Sequence, residues 1–140
     1  MVLAGTGIPI MAALNSGLGA RLGNPVQAAT LLFALALVIS LFALMLQSRP
    51  VVFNLAAVPP QYLLGGLFVA FYVLSVTFIA PKIGVGNSIV LVLLGQMLAS
   101  AMIDHFGWLN APQASLSSQR VAGLVVMAIA VVLMRRPIES

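Results

Sequence analysis

The chain has 140 residues, of which 62% are hydrophobic and 6% charged, and its formal net charge at neutral pH is +4. That balance excludes an ordinary water-soluble domain, because apolar runs recur at lengths near the roughly 20 residues that cross a ~30 Å hydrocarbon core. It also argues against a nucleic-acid partner: Arg21, Arg49, Lys82, Arg120, Arg135 and Arg136 fall between apolar runs, where topology-setting charges fall.

The first apolar run covers 2–22 and carries Pro9 and four glycines, a composition tolerated in membrane helices when neighbours or water satisfy the backbone. It lacks the basic n-region and small-residue cleavage site of a signal peptide, so a retained helix is expected. The second run, 26–47, opens after "GNP" and ends at "SRP". Arg49, Pro50, Pro59 and Pro60 then prevent a continuous helix across the linker 48–60. The third helix is predicted over 61–80, stopped by Pro81, and the fourth over 84–105 after the turn "PKIG". For the fifth, the uninterrupted apolar part from Val121 to Met134 reaches only about 21 Å at ~1.5 Å per residue. A start near Ser115, with Ser115, Ser117 or Ser118 as N-cap, lengthens it to about 30 Å over 115–134. Arg120 then lies one to two turns inside and snorkels back to the interface.

The expected fold is therefore all-α: a polytopic integral membrane protein whose five transmembrane helices form a single domain over 1–140. An odd number of spans puts the termini on opposite sides, A at the N-terminus and B at the C-terminus. Arg49 and Arg120 fall on A; Arg21, Lys82, Arg135 and Arg136 fall on B. The excess favours B as cytoplasmic by two side chains only, so insertion in both directions is conceivable.

Polar residues in such a chain are few. Asp104 is the sole acid in the first 138 positions, at the C-terminal end of the fourth span. Arg120 lies near the N-terminal end of the fifth. Each is at the unfavourable end of its own helix dipole, so pairing relieves both. The pair is read as a structural bridge, a group that couples ions or solute, or both. His105 is turned roughly 100° from Asp104 on a helix and reads as an interfacial residue beside Phe106 and Trp108, with a coupling role as the alternative. Gln96, Ser100 and Asp104, at steps of four, occupy a band roughly 80° wide that should face protein or water. Asn15 and Ser16 neighbour Gly17 and Gly19, which would let another backbone or a ligand come near. Gly84 with Ser88, and Gly66 with Ala70, have the small-x-x-x-small spacing that lets helices approach in lipid.

An enzyme is not expected. There is no Ser/His/Asp set at a shared depth, no carboxylate pair and no phosphate loop ending in Lys-Ser/Thr; "GVGNS" at Gly84 opens a helix instead. Cysteine is absent and histidine occurs once, so no metal or other cofactor is expected.

The combination Asn-x-x-Leu-Gly at Asn15, Gly-Gly-x-x-x-Ala-Phe-Tyr at Gly65, Pro-Lys-Ile-Gly at Pro81 and Gly-Gln-x-x-x-Ser-x-x-x-Asp-His-Phe-Gly at Gly95 resembles the YdcZ-type small bacterial membrane proteins of the drug/metabolite transporter superfamily (EamA-like). The likeness extends over nearly the whole chain, although "PPQY" stands where an aromatic pair is common. It implies transport of small organic solutes across the bacterial inner membrane. It also implies that five-helix units work in pairs, each as half of a ten-helix, inverted-repeat transporter. Small multidrug exporters of the same superfamily carry a membrane-embedded glutamate in helix one, where this chain has no acid and offers Asn15.

Alternating access is commonly built from two inverted repeats around a midplane site, and one five-helix unit supplies one repeat. The expected partner is an antiparallel second copy or a paralogous five-helix chain. By helix depth, Gln96 of one copy then comes level with Asn15 of the other, which predicts a solute site of Asn15 and Gln96, with Tyr72 as a further contact and Ser100 connecting to Asp104. The competing class is a non-transporting assembly or lipid-binding subunit, which predicts that Asn15 and Gln96 serve helix contacts only.

Overall fold

A computed structural model describes residues 1–48 and 54–134. Arg49, Pro50, Arg135 and Arg136 lie outside the described residues. Within them the chain is all-α: α1 (Val2–Leu22), α2 (Pro25–Met45), α3 (Leu64–Ile83), α4 (Val85–Phe106) and α5 (Ser118–Met134). Short 3₁₀ turns at Leu55–Ala57, Pro60–Leu63 and Trp108–Asn110 occupy parts of the connections. The chain divides into two compact units, Met1–Lys82 and Ile83–Ser140.

Four segments are long and apolar enough to cross a membrane: Val2–Leu22, Pro25–Met45, Pro60–Ile83 and Val85–Phe106. Large apolar side chains such as Leu35, Val38 and Phe42 on α2 and Phe68 and Phe71 on α3 stand exposed. A surface of this kind is unsustainable in water and suits hydrocarbon, which solvates it without cost.

The sequence "GNP" stops one helix and starts the next. Gly23 adopts φ 64°, a left-handed conformation that a Cβ disfavours, and ends α1. Asn24 caps α2: its Oδ1 accepts from the backbone N–H groups of Val26 at 2.9 Å and Gln27 at 3.3 Å. Pro25 fills the first helical position, where its missing N–H is no loss.

Helix ends differ from the sequence expectation by up to three residues, and two of the differences have a plain cause. Pro81 does not stop α3, which continues to Ile83. A proline this close to a helix end forfeits one backbone bond and disturbs only the final turn. The fifth helix starts at Ser118 and not near Ser115, because Ser117 is its cap, the Oγ accepting from the Arg120 N–H at 3.3 Å. With 17 residues it spans about 25 Å, and Arg120 lies in its first turn. The shorter reach places the arginine at the helix entrance, so deep snorkelling is unnecessary.

Unit Met1–Lys82 has its core where α1, the start of α2 and the second half of α3 meet. Gly19 makes this possible: a Cβ there would stand 3.3 Å from Pro25 Cα, 3.5 Å from Thr77 Cγ2 and 3.6 Å from Ala28 Cβ. Ala12, Ala28, Ala29, Val73, Val76 and Ala80 are buried. Small side chains therefore set the helix separation, as expected where lipid supplies no hydrophobic drive for association.

Candidate functional site

The buried polar centre of the first unit is Asn15 on α1 with Thr77 on α3. Asn15 is 4% exposed and Thr77 2%. The Asn15 amide Nδ2 donates to Thr77 Oγ1 at 2.6 Å, and that hydroxyl donates to the Val73 carbonyl one turn back at 2.7 Å. Thr77 thus accepts and donates at once, and the chain of bonds leaves neither hydroxyl function idle. Ser16 is also buried. Sequence reasoning missed Thr77. Its signal was a threonine four residues after Val73 and three before Ala80, on the small-residue face of α3, where a hydroxyl can back-bond to the preceding turn.

Tyr72, also on α3, has its hydroxyl buried and is the one described side chain with a buried polar atom that lacks a hydrogen-bond partner. An unsatisfied buried hydroxyl costs about 1–3 kcal/mol.

In the second unit, Arg120 Nη2 donates to Asp104 Oδ2 at 3.2 Å. The side chains are 47% and 32% exposed, and this is the one ion pair among the described residues. The loop between α4 and α5 is fastened at several further points. Ala114 N–H donates to the Asp104 carbonyl at 2.8 Å, and Gln113 Nε2 donates to the His105 carbonyl at 3.3 Å. His105 Nδ1 accepts from the Leu116 N–H at 3.3 Å. His105 also meets Phe106 edge to face, with ring centroids 4.9 Å apart, and Phe106 stacks on Trp108 at 5.1 Å. The sequence assigned His105 to this aromatic group; its bond to Leu116 could not be read from spacing.

Gln96 stands midway along α4, about 15 Å from either end at ~1.5 Å per residue, and is exposed. Ser100, one turn on, is exposed too, its hydroxyl donating to the Met97 carbonyl at 3.1 Å. Asp104 follows on the same face and bonds Arg120. Gln96 and Ser100 have no side-chain partner of their own on the described helices.

The four packing candidates separate. Ser88 is buried, its hydroxyl donating to the Gly84 carbonyl at 2.9 Å. Ala70 is half-buried. A Cβ added at Gly66 or Gly84 would meet nothing within 4 Å, so neither glycine is a close-approach point among the described residues. Gly84 matters for its backbone instead. With φ 87° and ψ 149° it holds a conformation open almost only to glycine, between α3 and α4. No group of three or more His, Cys, Asp or Glu side chains that could hold a metal occurs among the described residues.

Long apolar helices, a lipid-compatible exterior and sparse polar residues at membrane depth define a multi-pass α-helical membrane protein. Residues 1–133 match the family described as "Putative inner membrane exporter, YdcZ", and the chain belongs to this YdcZ family of the drug/metabolite transporter superfamily, in the inner membrane. Comparison with curated proteins and with solved structures finds no match.

Proposed function

We propose that the chain is a small-solute transporter that works as an antiparallel pair by alternating access. The observation that carries this reading is Gln96: an amide exposed midway along a span, on the same face as exposed Ser100. Leaving an amide unsatisfied in hydrocarbon costs about 2 kcal/mol or more, so this face is better covered by protein or by a water-filled path. A second copy running the opposite way supplies that cover and the missing repeat.

In this arrangement Asn15, about 10 Å from the Leu22 end of α1, lies within about 5 Å in depth of the partner's Gln96. Asn15, Gln96 and the unpartnered Tyr72 hydroxyl are the solute contacts, and Ser100 leads from Gln96 toward the Asp104–Arg120 pair. Asn15 is engaged with Thr77 in the conformation described, so solute must take over or share that bond. Asp104 and Arg120 latch the α4–α5 loop, and Asp104 and His105 are the groups available for coupling.

Purified dimer in liposomes provides the test. A solute screen by thermal unfolding should find a compound that raises the transition, and the same compound should cross the liposome membrane. Tyr72→Phe and Gln96→Ala should fold yet lose the solute-induced shift. A bifunctional thiol reagent should join Asn15→Cys of one copy to Gln96→Cys of the other. Dimers that bind and move nothing would instead favour a non-transporting assembly subunit.

A further inference from the structure

The Pro-Lys-Ile-Gly motif is not explained by the solute site. It ends α3 at one mouth of a cleft of about 300 Å³, lined by Ser16, Gly19 and Gly23 from α1 and its turn and by Thr77, Pro81 and Lys82 from α3. The cleft lies wholly within the unit Met1–Lys82. Its mouth, Gly23 and Lys82, is at the helix ends; its inner wall, Ser16 and Thr77, is about 9 Å deeper. The volume is at the lower limit for small-molecule sites, enough for a compact head group and too small for a drug-sized ligand.

Charge decides what such a group should be. The first 103 residues contain no acid, so no carboxylate of this unit can neutralise Lys82. Among the described residues Lys82 forms no ion pair. Helix dipoles oppose an anion here, but weakly. The C-terminal ends of α1 and α3 contribute about half a negative charge each, and the N-terminal end of α2 about half a positive one. Against that total of about −0.5, Lys82 lends a full positive charge in the cleft, and Arg21, on a neighbouring face of α1, adds to the potential of the same end.

We infer that this cleft binds a phosphate-bearing anion, with the Lys82 ammonium holding the oxyanion at the mouth and the α1–α3 wall of Ser16, Gly19 and Thr77 enclosing the group attached to it. The anion is either the head group of an acidic phospholipid or a free phosphate compound; both present the same oxygens to Lys82. The site is complete in one protomer, so it does not depend on the antiparallel arrangement and can stand if that reading falls.

The test uses full-length protein in neutral detergent and titrates two probes, inorganic phosphate and phosphatidylglycerol, with phosphatidylcholine as the uncharged-overall control. Binding is read by native mass spectrometry for the lipids and by the unfolding transition for phosphate. At least one acidic probe should bind the wild type and exceed the control, and Lys82→Gln should weaken it by about tenfold or more, the loss of one charge-assisted bond. Lys82→Arg should retain most of the binding, and Arg21→Gln, acting only at a distance, should weaken it far less than Lys82→Gln. Response to phosphatidylglycerol alone assigns the cleft to lipid; response to phosphate as well assigns it to free anions. The inference is overturned if neither probe binds above the control, if Lys82→Gln binds as well as wild type, or if Arg21→Gln loses as much, which would indicate diffuse surface charge.

Discussion

At the scale of single residues, the polar side chains divide into those satisfied inside the chain and those that are not. Thr77 is the pivot of the first unit, because one hydroxyl serves both Asn15 and the Val73 carbonyl. Thr77→Val keeps the shape and strands a buried amide, so unfolding of the purified protein should show a loss of about 1–3 kcal/mol, while Thr77→Ser should restore most of it. Gly84 is pinned by its backbone at φ 87° and not by a neighbour, since a Cβ would have open space. Gly84→Ala should therefore destabilise by about 1–3 kcal/mol through conformation alone, and enlarging the side chain further should add little. The two glycines of interest could not be separated by sequence. Gly19 and Gly84 both stand beside small or polar neighbours, and only the packed helices reveal that Gly19 touches three atoms and Gly84 none.

At the scale of elements, the fastened part is the α4–α5 hairpin. Asp104 and Arg120 make a single contact and remain substantially exposed, so the bridge itself should contribute less than about 1 kcal/mol. Backbone bonds from Ala114 and Leu116, with Gln113 on the His105 carbonyl, hold the loop besides. Asp104→Asn and Arg120→Gln should each shift the unfolding transition little. If the pair also couples transport, flux in liposomes should fall tenfold or more in either variant, and the exchanged pair Asp104→Arg with Arg120→Asp should recover stability without recovering flux. The pairing was legible because two lone charges on adjacent helix ends had few other partners. The helix start at Ser118 was not, since three serines offered caps and only the hydroxyl of Ser117 reaches the Arg120 N–H.

At the scale of the whole molecule, orientation and pairing are the issue. Charges on the expected sides number four (Arg21, Lys82, Arg135, Arg136) against two (Arg49, Arg120), a narrow bias for topology. Reporter fusions to the C-terminus should therefore give signal from both faces of the membrane. Glu139→Lys with Ser140→Lys raises four to six and should collapse the population to one orientation. An antiparallel homodimer would then lose transport, and co-expression with a copy biased the other way would restore it. Full activity of the locked form would sink the antiparallel pair and leave the cleft beside Lys82 untouched.

Membrane class and all-α character were determined by the sequence alone, because hydropathy over roughly 20 residues and the helix-stopping chemistry of Gly, Asn and Pro are local properties. The family too was legible, since its motifs are strings of neighbouring residues. Only the tertiary structure decided which polar groups are satisfied: that Asn15 meets Thr77 across 62 positions, that Gln96 and Ser100 stand exposed, and that Ser16, Thr77 and Lys82 line one cleft. Hydrogen bonds between helices depend on the rotation and separation of each helix. Those are set by where small side chains allow contact, a relation between segments that no local pattern contains.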